Sequence, residues 1–273
     1  MESLLHQDAL SPPKERYIIG AVAGDIIGSV YEWRNVKTVD FGLFCHPSTF
    51  TDDSVLTAAT MDAILRQREY AAAYQLFGKK YPNRGYGGRF HAWIHSKNPQ
   101  PYNSWGNGSA MRVSPVGWYG GDIDEVMDEA RKSAEITHNH PEGIKGAQAV
   151  AVAVYMARTG KDKREIKRFI MEEFHYDLER TIDGIRLDYK FDVSCQGSVP
   201  EAIIAFLESA DFESAVRLAV SIGGDSDTIA CIAGGIAEAY YQTVPDYIID
   251  NVFVRLPQEL RRVIEEFSMK YRT

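Results

Sequence analysis

The chain has 273 residues, with 30 lysines and arginines against 38 aspartates and glutamates and 45% hydrophobic residues, enough for one or two globular domains with a substantial core. This content excludes a disordered or fibrous chain, and the formal net charge of −8 argues against a broad electrostatic grip on nucleic acid or an anionic membrane. Three cysteines, Cys45, Cys195 and Cys231, with no CxxC spacing, exclude a disulfide framework and a thiolate zinc site and point to a reducing, cytoplasmic setting.

In chain order, Met1 to Lys14, with Ser11-Pro12-Pro13, reads as a flexible lead-in, and residues 15–273 as one all-α domain. From Ile18 to Val30 the apolar positions Ile19, Val22, Ala23 and Ile26 recur at helical spacing, while Gly20, Gly24 and Gly28 share another side on which a neighbouring backbone can approach. Asp25 interrupts this apolar stretch, which is too short to span a membrane. A GxxxGxxxG run lacks both the spacing and the preceding strand of a dinucleotide fingerprint. Helical spacing returns after Asp53 (Leu56, Ala59, Ala63), after Pro141 (Ile144, Ala147, Ala151, Val154, Tyr155), after Pro200 (Ile203, Phe206, Leu207) and after Asp227 (Ile229, Ile232, Ala233, Ile236, Ala237, Tyr240). Between these, Tyr81 to Tyr119 is rich in Gly, Pro, Asn and aromatic residues without periodicity, which predicts long ligand-binding loops. The charged run Lys161 to Arg168 is the solvated start of a helix whose apolar side holds Ile166, Phe169, Ile170 and Phe174. With no series of strands alternating with helices, a parallel sheet is not expected.

Two segments place hard oxygen ligands immediately before apolar helices: Thr51-Asp52-Asp53-Ser54 and Gly223-Gly224-Asp225-Ser226-Asp227-Thr228. One acidic pair at a helix start is ordinarily an N-cap supported by the helix dipole. Two such segments, if their helices converge, can hold divalent ions that offset the repulsion of four carboxylates. The Asp225-Ser226-Asp227 spacing also occurs in nucleotide-sugar transferases, but there it follows a strand, and a helix follows it here. Asp25, inside an apolar helix, must be paired, with a structural hydrogen bond and a substrate contact equally open at this point.

With these residues in view, the chain resembles the ADP-ribosylglycohydrolase family. Five pieces fall in that family's order: Gly24-Asp25-Ile26-Ile27-Gly28 with Glu32 after it, Thr51-Asp52-Asp53-Ser54, Gly106-Asn107-Gly108-Ser109-Ala110-Met111-Arg112, Thr137-His138, and Gly223-Gly224-Asp225-Ser226-Asp227-Thr228. The resemblance implies a compact, orthogonally packed all-α helical bundle with two divalent cations, Mg²⁺ or Mn²⁺, at the base of a cleft. It carries the metal ligands onto Thr51, Asp52, Asp53, Asp225, Asp227 and Thr228, with Asp52 and Asp53 also catalytic, and makes Glu32 a gate and acid/base candidate on a mobile loop. It carries contacts to ADP-ribose onto Ser104, Trp105, Gly106, Asn107, Gly108, Ser109 and His138, with Trp105 stacking on adenine and Asn107 at the diphosphate. Gly223, Gly224 and Ser226 are further substrate-side candidates, whereas Met111 and Arg112 support the loop from beneath and His140 is structural. Tyr86-Gly87-Gly88-Arg89-Phe90 is typical of bacterial members and is expected at the rim. The activity implied is metal-dependent cleavage of the bond between ADP-ribose and an ADP-ribosylated protein or small-molecule acceptor. The competing expectations are a non-catalytic ADP-ribose-binding or toxin-immunity protein of the same fold, and a hydrolase of another nucleoside or sugar conjugate.

Overall fold

The structure, a computed structural model, describes residues 17–272; the lead-in expected over 1–14 lies outside them. Its helices are α1 (Gly20–Gly28), α2 (Asp52–Arg66), α3 (Tyr70–Lys80), α4 (Gly88–His95), α5 (Gly108–Met111), α6 (Ser114–Tyr119), α7 (Ile123–Glu135) and α8 (Pro141–Arg158) in the first half. The second half adds α9 (Lys163–Phe174), α10 (Ile182–Asp188), α11 (Cys195–Glu208), α12 (Phe212–Ile222), α13 (Ser226–Tyr241), α14 (Asp246–Phe253) and α15 (Gln258–Tyr271). Among the described residues there is no strand, only an isolated antiparallel bridge between Gly106 and Ser194, so the all-α expectation holds. No helix of the described residues is long and apolar enough to cross a membrane.

Helix α13 lies at the centre, buried from Ser226 to Ala239, because small residues on every side let α1, α8, α11 and α12 pack against it. The approach of α1 is the closest. A Cβ on Gly24 would lie 2.0 Å from the Ala230 carbonyl oxygen, and one on Gly20 2.5 Å from that of Gly234. These contacts leave no room for a methyl group, and both partners are backbone that cannot swing aside. Gly24→Ala is therefore expected to cost about 3 kcal/mol or more by overpacking, read as a fall in the urea midpoint; a change below about 0.5 kcal/mol would contradict the interlock.

The start of α1 has no side-chain cap of its own. Instead, Glu238 on α13 accepts hydrogen bonds from Ile19 N (3.0 Å) and Gly20 N (2.6 Å) and pairs with Arg272 Nη1 at 2.6 Å. A buried carboxylate thus takes the orphan amides at the positive end of α1. One contiguous cluster of buried apolar side chains runs from Tyr17 to Phe267.

Three expectations change. The first helix is shorter than Ile18 to Val30, ending at Gly28 in a turn. The helix expected after Pro200 begins at Cys195, capped by Ser194 accepting from Gly197 N, so Pro200 sits in its second turn and only one backbone bond is forgone there. The stretch Tyr81 to Tyr119, expected as loop, contains α4, α5 and α6; helices this short, one of them carrying Pro115 in its first turn, span too few residues to show periodicity. The charged run does open a helix, α9, with a capping box between Asp162 and Glu165 and with Ile166, Ile170 and Phe174 buried.

Candidate active site

The site forms where the N-termini of α2 and α13 meet beside α1. Asp25, in the middle of α1 and fully buried, accepts from Thr51 N (2.9 Å), Thr51 Oγ1 (2.7 Å) and Ser54 N (3.1 Å), and also from Ser54 Oγ. One carboxylate therefore ties the entry of α2 to α1, a structural tie. It is also more than structural. Ligand atoms of Asp25, Asp53 and Asp227 all lie within 4.8 Å of one another, as do those of Glu32, Asp225 and Asp227. The two acidic segments, far apart in the chain, thus form one pair of clusters that share Asp227.

None of these carboxylates, nor Asp52, has a Lys, Arg or His ion-pair partner among the described residues. Burial first, and then the neighbouring carboxylates, hold Asp52, Asp53 and Asp227 well above the ordinary aspartate range. Burial likewise raises Asp25 and Asp225, against the opposing effect of their hydrogen bonds. Asp53 Oδ1 is buried with no hydrogen-bond partner. Concentrated negative charge, hard oxygen donors and an orphaned carboxylate oxygen all fit a divalent cation.

Glu32 stands on the loop after α1, half-buried, its pKa pushed up to about 7 by burial and then by Asp225. That loop is tied down from the far side. Asn35 Oδ1 accepts from Gly224 N at 2.8 Å, Asn35 Nδ2 donates to Glu32 O at 2.8 Å, and Lys37 Nζ donates to Ile222 O at 2.6 Å. Gly223 and Gly224 adopt φ of +77° and +71°, a left-handed turn that turns their backbone to this loop. In chelator-treated protein Glu32 is expected to titrate near 7, and Asp225→Asn is expected to lower that pKa by removing a like charge. Carbon-detected NMR of the carboxyl group measures both; a pKa indifferent to Asp225 would contradict the coupling.

Over the carboxylates lies a cavity of about 390 Å³, lined by Glu32, Thr51, Asp52, Asp53, Asp225, Asp227 and Thr228 on one side. Ser104, Gly106, Asn107, Gly108 and His138 line another part. The 104–108 loop is held by Asn107 N donating to Val193 O (2.8 Å) and Cys195 N to Trp105 O (2.9 Å), and Ser104 Oγ accepts from Gly106 N. Asn107 directs its amide hydrogens to Asp225 Oδ2 (2.6 Å) and Ser198 Oγ (3.0 Å), so it links the loop to the acidic cluster.

Other candidates lie off this wall. Ser109 is buried and donates to Gly143 O, and Ser226 is buried and donates to Gly28 O. Gly223 faces Asn35 and Lys37, Gly224 lies against Tyr189 while its N–H donates to Asn35 Oδ1, and Trp105 is 48% exposed with its ring 5.5 Å from that of His140. His140 itself caps α8 by accepting from Glu142 N. Met111 lines the cavity, and Arg112, fully buried below the loop, also reaches it. Arg84, Gly87, Gly88, Arg89 and Phe90 line the cavity, where the 86–90 stretch was expected at the rim. Sequence reasoning missed Arg84, Tyr102, Phe191 and Val193 on the wall; the dense aromatic and Gly content around Tyr102 was the only signal.

A model of the family described as ADP-ribosylglycohydrolase matches residues 15–273. The chain belongs to the ADP-ribosylglycohydrolase family. Among its relatives, ADP-ribosylhydrolase ARH3 of Gallus gallus is 28% identical, over 84% of this chain and 86% of that protein. The Homo sapiens ARH3 is also 28% identical, over 82% and 84%. A putative ADP-ribosyl glycohydrolase of Acanthamoeba polyphaga mimivirus is 26% identical over 86% and 89%. A chain solved in an "ADP-ribosylglycohydrolase-related protein complex" superposes with a TM-score of 0.70 at 22% identity, covering 94% of this chain and 97% of that one, which establishes the ADP-ribosylglycohydrolase fold.

Proposed function

We propose that this member of a hydrolase family cleaves the glycosidic bond between ADP-ribose and an acceptor, a protein side chain such as Arg or Ser or a small-molecule or base conjugate, and releases ADP-ribose. The observation that carries the reading is the convergence of the two acidic helix starts on the floor of one cavity, in a chain whose relatives are named ADP-ribosylhydrolases. Thr51, Asp52, Asp53, Asp225, Asp227 and Thr228 would hold two divalent cations, Mg²⁺ or Mn²⁺, and Asp25 lies close enough to Asp53 and Asp227 to join them. When bound, such ions supply an activated water and fix sugar hydroxyls.

The chain's own groups carry the remaining roles. Carboxylates on the floor stabilise positive charge as it grows on the anomeric carbon of an oxocarbenium-like transition state. Glu32, poised near neutral pH in the metal-free site, suits proton exchange with the leaving acceptor. Gly106 and Gly108 allow close approach of a diphosphate to backbone amides, and Trp105, half exposed beside them, offers a face for adenine. The whole of residues 15–273 acts as one domain in this reading, in the cytoplasm.

The test is a panel of Arg-, Ser- and base-linked ADP-ribosyl substrates, with release of free ADP-ribose followed in the presence of Mg²⁺ or Mn²⁺. Release from one class, competed by ADP-ribose, is the expected result. Tight ADP-ribose binding without release from any substrate would replace this reading with the non-catalytic one.

A further inference from the structure

We propose that Arg112 and Thr137 are positioning residues that hold His138 as the tautomer protonated on Nε2, so that the cavity wall presents a neutral hydrogen-bond donor to a ligand oxygen. Arg112 Nη2 donates to Thr137 Oγ1 and to Ser133 O, each at 2.9 Å. A guanidinium has no acceptor, so Thr137 Oγ1 accepts this bond and its own hydrogen is left for another partner. Two are in reach, His138 Nδ1 at 2.7 Å and the Ala134 carbonyl at 3.5 Å. The 2.7 Å contact can form with either tautomer, but an Nδ1–H donor would leave the hydroxyl hydrogen only the Ala134 carbonyl at 3.5 Å, the limit of a hydrogen bond; donation to Nδ1 gives that hydrogen the short bond and requires the nitrogen to be bare. The ring hydrogen then sits on Nε2.

Among the described residues Nε2 has no hydrogen-bond partner. His138 is only 5% exposed, yet lines the cavity, and Nε2 lies against the Ser104–Gly108 loop, where a Cβ on Gly108 would come within 3.2 Å of it. Nε2 opens onto the cavity with no acceptor among the described residues competing for it, so a ligand oxygen arriving beside the loop finds the donor free. The opposite tautomer would turn a lone pair toward the same place and repel a phosphate oxygen.

Charge acts in the same direction as geometry. Burial, and then the positive charges of Arg112 and Arg89, hold the imidazole well below its ordinary pKa, so the donor is neutral. The ring of Tyr102, 6.0 Å away between centroids, covers another side. Arg112 Nε and Nη1 find no hydrogen-bond acceptor; its guanidinium carbon instead lies 4.2 Å from the centre of the Tyr74 ring and 5.9 Å from that of Phe90. The aromatic faces take up the charge, and the directional bonds go to Ser133 and Thr137.

That the ligand is ADP-ribose rests on the function proposed above; the tautomer does not. The experiment is a long-range ¹H–¹⁵N correlation of the full chain labelled at its seven histidines, with His138→Gln identifying the resonance. The wild type is expected to show the Nε2-protonated pattern, Thr137→Val to lose that preference, and Thr137→Ser to restore it. ADP-ribose binding in parallel is expected to weaken about fivefold in Thr137→Val and to recover in Thr137→Ser. An Nδ1-protonated wild type, or a tautomer unmoved by Thr137→Val, would overturn the proposal. The expected tautomer in a chain that does not bind ADP-ribose would support the relay and remove the ADP-ribose reading, so the two failures are distinguishable.

Discussion

Asp227→Asn is expected to lower kcat by about a thousandfold or more while raising the melting temperature of the metal-free chain. Asp227 is the residue common to both carboxylate groups, so its loss removes a ligand from each. The stability change has the opposite sign for a stated reason. Asp227 is held well above its ordinary pKa by burial and then by Asp53 and Asp225, so the folded chain binds more protons than the unfolded one above about pH 4. Stability contributed by this group is present below the unfolded pKa and falls as pH rises from there toward the folded pKa. A neutral Asn still accepts the bond that Thr228 N makes to Oδ1 at 3.0 Å but carries no charge to bury. The melting temperature at neutral pH is then expected to rise by roughly 2–4 °C for each kcal/mol of repulsion removed, whereas added divalent cation should stabilise the wild type more than the variant. A variant with near-full turnover would contradict the assignment of Asp227, and one that simply unfolds would contradict the electrostatic account.

Arg272→Ala is expected to cost about 3–5 kcal/mol, because it leaves Glu238 as an uncompensated buried charge. The pair is 6% and 1% exposed at its side chains. Arg272 also donates to Tyr17 O, so its loss frees the C-terminal end of α15 and the entry to α1 together. Glu238→Gln should be milder, since a side-chain carbonyl can still accept from Ile19 N and Gly20 N, and the double variant should be less destabilised than the sum of the two. Urea unfolding of the four chains measures this coupling; an Arg272→Ala cost under about 1 kcal/mol would mean that the pair behaves as if it were at the surface. The effect bears on function because α1 carries Asp25, and Asp25 holds the start of α2 through Thr51 and Ser54.

The parts of this architecture that could be read in the sequence are those with a period or a repeated chemistry. Long helices such as α8 and α13 announce themselves through apolar residues at helical spacing, and the glycines of α1 foretell the close approach of a neighbouring backbone, though only the structure shows that it is α13. The two acidic segments stand out because both precede helices, although only folding shows that they meet. Short helices α4 to α6 were invisible because four to eight residues give no periodic signal. The helix expected after Pro200 starts earlier, since the position of Pro200 in the second turn depends on Ser194 capping from six residues further back. Most of the cavity wall beyond the motifs, Arg84, Tyr102, Phe191 and Val193, comes from single loop residues with no pattern to mark them. Asp25 could be seen to need partners, but not which ones, because they lie 26 and 29 residues away.

The measurement that tests the central claim most directly is turnover of one ADP-ribosylated substrate before chelation, after it, and after Mg²⁺ or Mn²⁺ is restored. The convergence of α2 and α13 on unpaired buried carboxylates predicts that release of ADP-ribose stops on chelation and returns with the cation, in the wild type and not in Asp227→Asn. Undiminished release in chelator would contradict it, because the acidic floor would then be performing the hydrolysis without the ions its charge calls for.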